Sequence, residues 1–317
     1  VNLDWRPLAE TDIPACSATG VAIDAVDGSY SGTDEGGLRE LIATDRLDLA
    51  GAGIGAFSGD AMLAYGIVGS PEPRGDVRQA RLHGGVHPDH RGRGVGHELL
   101  GRLVEQGSKL HGAADMQLVS GLVDTNERHR RLLERHGFHL ARRFTRMSAD
   151  LPASAPAIPV PGGLEPVRLG GLPPELDEAI RHAFNRAFAD HWDSPAVTEH
   201  VWQTSFTGSA EFLPGLSQVL LDPATGEVAS FVLAYTGRGK DVDGMVYIGD
   251  VGTLRAWRGR GLASTLLRMV LGHAADAGYR TAELSVDSAN PTGAFGVYER
   301  CGFVVSAGWS IFARATL

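Results

Sequence analysis

Two hexapeptides constrain this chain more than any other feature: Arg91-Gly92-Arg93-Gly94-Val95-Gly96 and, 167 positions later, Arg258-Gly259-Arg260-Gly261-Leu262-Ala263. Self-similarity at one spacing is the mark of a duplicated fold. The context repeats too. Val95, Leu99 and Leu103 follow the first hexapeptide at helical spacing, and Leu262, Leu266 and Val270 follow the second. Strand-like stretches come next, Gln117 to Val123 and Ala282 to Val286, each leading into a helix that stops at Gly-Phe, Gly137-Phe138 and Gly302-Phe303. Each copy reads as strand, glycine-rich turn, helix, strand, helix.

A chain of 317 residues has room for two domains of about 150 residues. Leu151 to Gly163 carries four prolines, which disfavour helix and central strand alike. The expected organisation is an N-terminal domain over 1–150, a Pro-rich linker over 151–163 and a C-terminal domain over 164–317. Beyond the linker, Leu176, Ile180, Phe184 and Phe188 mark an amphipathic helix entered by Pro173-Pro174-Glu175, and a second helical pattern begins near Pro195.

Glycine at alternate positions lets the turn adopt conformations closed to other residues, so that successive amide hydrogens converge on one anion at a helix N-terminus. A pyrophosphate fits such a cradle, and Arg91 or Arg258 is expected to add a charge-assisted contact. Other phosphate loops fit poorly. Neither hexapeptide ends in Gly-Lys-Ser/Thr, and neither completes Gly-x-Gly-x-x-Gly, which argues against nucleotide hydrolysis and hydride transfer.

A net charge of -9 works against binding to a nucleic-acid backbone, so the expected partner is a small molecule. RNA binding through the Arg-Gly clusters is a weak alternative, since they sit inside strand-helix units without interleaved aromatics. No apolar run approaches the roughly 18 residues of a membrane span. The acidic residues among the first thirty contradict a secretory signal, so the expected location is cytoplasmic. Cys16 and Cys301 are too few for a disulfide framework. His83, His87 and His90 gather locally without a nearby Cys, and no metal is expected.

With the duplicated turn, its strand lead-ins Val86 to His90 and Val251 to Trp257, and the closing segment Asn290 to Phe303, the chain resembles the GNAT superfamily of N-acetyltransferases. That family's signature is Gln/Arg-x-x-Gly-x-Gly/Ala between strand and helix, and both copies satisfy it. The resemblance implies an α/β fold, more closely an α+β mixed sheet: two tandem GNAT-like domains, each a twisted, mostly antiparallel sheet flanked by helices. It also implies acetyl-CoA as cosubstrate and a small-molecule amine as acceptor. Asn185 to His191 and Gly244 to Tyr247 are similar to the tandem mycothiol synthase group, whose acceptor is the amine of a sugar-linked cysteine.

By the same resemblance, Val251, Gly252 and Thr253 would hold the acyl and pantetheine portions, Arg258, Gly259, Arg260, Gly261, Leu262 and Ala263 the pyrophosphate, and Asn290 the pantetheine arm. Val86 and Arg91, Gly92, Arg93, Gly94, Val95 and Gly96 are their counterparts in the first copy. Tyr298 would be the general acid. Met245 occupies the strand position where the family often carries Glu, which leaves Asp250, Glu283 and His191 as candidate bases, with Asp250 first. His191 and Trp192 fall in the loop that would roof the acceptor.

In the first copy Leu133 stands where Tyr298 stands in the second, and Arg81 is the expected counterpart of Met245. That copy is expected not to catalyse transfer. A non-catalytic acetyl-CoA sensor or assembly protein remains the alternative, and the sequence leaves acceptor identity and oligomeric state open.

Overall fold

The computed structural model describes residues 3–28, 34–74, 76–151, 158–189, 196–237, 244–289 and 293–316. His191, Trp192, Asn290, Pro195 and linker residues 152–157 lie outside them. The chain begins with β1 (Asp4–Pro7), α1 (Ile13–Asp27), α2 (Glu35–Thr44), α3 (Leu49–Ala52), β2 (Gly53–Ser58), β3 (Ala61–Val68) and β4 (Glu72–Arg74). There follow β5 (Val77–Val86), α4 (Val95–His111), β6 (Met116–Val123), α5 (Glu127–Arg135) and β7 (His139–Asp150). The second copy comprises β8 (Glu165–Arg168), α6 (Pro174–Ala187), α7 (Glu199–Ser205), β9 (Gln218–Leu221), β10 (Val228–Thr236) and β11 (Met245–Thr253). It closes with α8 (Leu262–Asp276), β12 (Thr281–Asp287), α9 (Ala294–Arg300) and β13 (Val304–Ala315).

Two compact units result, but their composition departs from a contiguous split at 151–163. The first unit takes residues 1–143 and 308–317, and the second takes 144–307. The reason lies in two long strands. Phe144 to Asp150 of β7 pair antiparallel with β12, whereas Trp309 to Ala315 of β13 pair antiparallel with β6. Each copy's final strand therefore completes the sheet of the other copy, and the Pro-rich segment follows a strand already committed to the second unit.

Within the first unit the strand order is β1-β2-β3-β5-β6-β13, with β4 on β5, and within the second it is β8-β9-β10-β11-β12-β7. Neighbours are antiparallel except β5 with β6 and β11 with β12. Both parallel ladders are short. Pairing runs from Met245↔Thr281 to Ile248↔Leu284 in the second unit and from Arg78↔Met116 to Arg81↔Val119 in the first. Beyond those points β11 and β5 continue without the parallel neighbour, which opens a gap in the middle of each sheet.

The helices behave as their apolar spacing requires. Val95, Leu99 and Leu103 of α4 and Leu262, Leu266 and Val270 of α8 are all buried, and the two helices pack on β3 and β5 and on β10 and β11 respectively. Opposite faces of the same strands are covered by α1 and by α6, where Ile180 and Phe184 are buried. Burying each such side chain contributes about 1.5–3 kcal/mol, which sets the sheet order and leaves the gap as the accessible feature between the two helical layers. Phe138 and Phe303, the aromatics of the two Gly-Phe stops, are fully buried and close each copy.

Candidate active site

The turn between β11 and α8 is built by glycine. Gly259 and Gly261 have φ of +77° and +76°, and in the first unit Gly92 and Gly94 have +79° and +84°. A side chain at any of these positions would be strained by its own backbone. Gly261 and Gly94 are the N-cap residues of α8 and α4, and neither helix has a side-chain cap. Thr265 N–H is the first of the second helix to find the Gly261 carbonyl, so the earlier first-turn amides face outward with no partner of their own helix. An anion satisfies such a set, and the helix dipole adds to the attraction.

The arginines that open the two turns also tie each turn to its own unit. Arg258 Nε donates to Thr253 O at 3.1 Å, and its NH2 group donates to Ala187 O at 2.9 Å. Arg91 Nε donates to Val86 O at 3.1 Å, while its two terminal nitrogens meet the Asp27 carboxylate at 2.7 and 3.0 Å. In both copies the guanidinium reaches back five residues and ties the end of the strand to the end of the helix covering it. The turn's main-chain amides are suited to a phosphate.

Leu254 N–H donates to Ala229 O across to β10. By the alternation of a strand, Val251 and Thr253 turn their amides and carbonyls the other way, into the gap that β12 has left. The Thr253 carbonyl is taken by Arg258 Nε, which leaves the Val251 amide and carbonyl and the Thr253 amide as the groups a thioester and its pantetheine arm would meet. Gly252 has its own reason to be glycine, since a Cβ there would lie 2.1 Å from the Phe231 ring. The Thr253 hydroxyl is engaged within the sheet by Ser230 at 3.0 Å.

At the mouth of the same gap β11 carries a bulge. Leu233 pairs with Asp250 and Ala234 with Ile248, which leaves Gly249 as the extra residue. The Tyr235 ring lies across Gly249, where a Cβ would come within 2.4 Å of it, and the phenol donates to Asp250 Oδ2 at 3.2 Å. Burial pushes the Asp250 carboxyl up to about 6, against the Tyr235 hydrogen bond, which lowers it. Such a group is mostly ionised at neutral pH and close to the range of an effective base.

Tyr298, on α9, is buried within reach of the Asp250 charge. Burial first, and then the charge of Asp250, holds its phenol well above the ordinary tyrosine range, with Tyr247 and Cys301 adding to the effect. The group stays protonated, as an acid must. The same dry surroundings would raise the basicity of a departing thiolate, so the two proton affinities move together. Glu283 instead pairs in register with Tyr247 and Ser148 on β12, within the closed part of the parallel ladder.

The first unit has the same turn with different side chains beside it. Phe138 N–H donates to Leu133 O as Phe303 N–H donates to Tyr298 O, both at 3.1 Å, so Leu133 is the counterpart of Tyr298. His83 pairs with Ile67 as Asp250 pairs with Leu233, and burial pushes its imidazole down to about 4. Strand register also corrects one alignment: Arg78, not Arg81, occupies the place of Met245 at the start of the ladder. Among the described residues no three His, Cys, Asp or Glu side chains converge as a metal site; His87 and His90 merely place their rings 5.6 Å apart.

Comparison with known proteins resolves the kinship. The profile of the Acetyltransferase (GNAT) family matches residues 178–303, and that of an Acetyltransferase (GNAT) domain matches residues 58–140. A curated relative from Thermobispora bispora, named mycothiol acetyltransferase, is 32% identical over 257 residues, covering 78% of this chain and 78% of its own. The chain belongs to the GNAT acetyltransferase family. It is an N-acetyltransferase with two GNAT domains in tandem. A GCN5-related N-acetyltransferase from Sphaerobacter thermophilus superposes over 99% of this chain and 96% of that one, with a TM-score of 0.73 at 27% identity. A tandem GNAT protein from the clavulanic acid biosynthesis pathway shares the fold at 18% identity, with a TM-score of 0.69 and coverage of 100% and 99%. GNAT enzymes as a family use acetyl-CoA, which agrees with two cradles of this design. Among the described residues, no helix is long and apolar enough to cross a membrane.

One part of the site is not legible in the sequence: Tyr235, whose partner Asp250 is 15 residues away and is joined to it only by the β10–β11 pairing. The signal available was Gly249, a glycine inside a strand, which commonly marks a bulge or a close approach.

Proposed function

We propose that the second unit transfers the acetyl group of acetyl-CoA to the primary amine of a small molecule by direct attack on the thioester. The observation that supports this reading is that Asp250 lies on β11 just beyond its last pair with β12, at Ile248, and that its charge acts on the buried Tyr298 phenol. Asp250 accepts the nitrogen's proton as the C–N bond forms. Tyr298 gives its proton to the sulfur as the C–S bond breaks, and proton transfer from Asp250 to the Tyr298 phenolate restores both. The amide N–H groups along the gap would stabilise the oxyanion between these events. The turn Arg258 to Ala263 holds the pyrophosphate through its amides, with Arg258 fixing the turn, and Asn290 is assigned to the pantetheine arm.

The base also bears on the acceptor. Moving a proton to a carboxylate near 6 costs about 2.5 kcal/mol from an α-amine of pKa about 7.7–8.0, and about 6 kcal/mol from an alkylamine of about 10.4. The α-amine is therefore favoured, and a cysteinyl sugar is the first acceptor to test, in keeping with the name of the Thermobispora relative. His191 and Trp192 are assigned to the acceptor side. The first unit, with Leu133 and a neutral His83 in place of the acid and base, is assigned a coenzyme-binding or supporting role through Arg91 to Gly96 and Val86.

Calorimetric titration of acetyl-CoA tests the assignment. Gly261→Asp places charge and bulk in the cradle and should abolish binding to the second unit together with turnover, while Gly94→Asp should leave turnover within about twofold. Turnover surviving Gly261→Asp would move the active site elsewhere. Binding without turnover on any amine would favour a sensor.

A further inference from the structure

We infer that Tyr235 is the positioning residue of the base: its phenol orients the Asp250 carboxylate toward the acceptor nitrogen and keeps it in the charged, proton-accepting form. This rests on the reading of Asp250 as the base. Three independent features of the fold converge on the pair. The β10–β11 ladder breaks register only at Leu233/Ala234, opposite the bulge, and so brings Asp250 within 3.2 Å of the phenol. Residue 249 has no side chain, which is the condition for the Tyr235 ring to cross the strand, because a Cβ would sit 2.4 Å from Cε2 and 2.7 Å from Cδ2. The ring is otherwise fixed by Phe212, 5.7 Å away centroid to centroid, so the hydroxyl is held in place and does not search for its acceptor.

The Asp250 carboxylate is coupled to phenols from two other elements: it accepts from Tyr235 of β10, and its charge raises Tyr298 of α9. Asp177, Glu178, Arg181 and Arg186 of α6, which also packs on β11, are engaged elsewhere. Glu178 pairs with Arg181 and His182, Arg186 pairs with Glu227, and Asp177 accepts from Trp202 and Gln203. Tyr235 thus donates a hydrogen bond to Asp250, and a hydrogen bond to the charged form favours that form. The two phenols have separate duties in this arrangement: Tyr298 serves the sulfur, and Tyr235 serves the base.

Carbon-13 carboxyl titration of the full chain reads the arrangement without depending on the acceptor. The Asp250 signal, assigned by its loss in Asp250→Asn, should titrate near 6 and move upward by about one pH unit in Tyr235→Phe, as expected for loss of a hydrogen bond to a charged group. With acetyl-CoA and cysteinyl-glucosamine, kcat should fall about tenfold to a hundredfold. The KM for acetyl-CoA should stay within about twofold, and Tyr235→Phe should have no further effect in an Asp250→Asn background. An unmoved midpoint, or an equal loss in both backgrounds, would reduce Tyr235 to a packing residue. Should Tyr235→Phe not fold, 3-fluorotyrosine at 235, a stronger donor of nearly the same shape, must move the midpoint downward, and a fixed midpoint overturns the inference. Failure of the base reading looks different: Asp250→Asn would then retain wild-type turnover even though the Tyr235-dependent midpoint moves.

Discussion

Replacing Asp250 by Asn should make the protein more stable and nearly inactive at once. The carboxyl has an ordinary value of 3.8 and is pushed up to about 6 in the folded chain, so its ionised form is disfavoured there. The difference corresponds to about 3 kcal/mol at pH values above both figures. Solvent reaching the half-buried group reduces that, and a gain of about 1–2 kcal/mol in the variant is the expected magnitude. The sign follows from proton binding: between 3.8 and about 6 the folded chain holds a proton that the unfolded chain has lost, so wild-type stability falls as pH rises through that window. Asparagine keeps an acceptor oxygen for Tyr235 and has no such dependence. Urea midpoints of the two proteins should nearly coincide below about pH 3.5, under both values, and separate fully by about pH 7.5, with the variant more resistant. Turnover should drop by about 10² to 10⁴, the range of a lost general base. A variant less stable at about pH 7.5, or a gap independent of pH, would show that Asp250 is not held against its own charge.

Three further outcomes follow from the same geometry. In wild type, kcat/KM should fall below a pH of about 6 as Asp250 takes up a proton, and Asp250→Asn should abolish that limb; a limb surviving the substitution would assign it to another group. Leu133→Tyr with His83→Asp should leave a Tyr298→Phe protein inactive, because β5 lacks the bulge that aims Asp250 in β11, and recovered turnover would contradict the importance given to the bulge. Residues 164–317 expressed alone should be insoluble or self-associating, since β12 loses the partner supplied by Phe144 to Asp150, whereas 144–317 restores it; a monomeric, cooperatively melting 164–317 would refute the strand exchange.

The duplicated turns, the helices after them and the Gly-Phe stops were legible because each depends on local chemistry. Positive φ demands glycine, and apolar residues at helical spacing demand a core. What the sequence concealed is carried by pairing between distant strands. The exchange of β7 and β13 leaves no mark in composition, and the prolines of 151–163 pointed to a boundary after a strand that already belongs to the second unit. Arg91 and Arg258 resemble phosphate ligands by type, and their five-residue return hydrogen bonds to Val86 and Thr253 are a second use that the hexapeptides do not announce. Asp250 was visible as an acidic residue in a strand, yet its phenolic partner required the β10–β11 register.

The most direct test of the account is mass detection of an N-acetylated product from acetyl-CoA and cysteinyl-glucosamine, run in parallel with wild-type protein and Tyr298→Phe. Wild type should yield an acetylated amine and free coenzyme A in equal amounts, and the variant a rate lower by about 10² to 10⁴ at unchanged coenzyme affinity. Equal rates from the two proteins would remove Tyr298 from the reaction and with it the proposed active site.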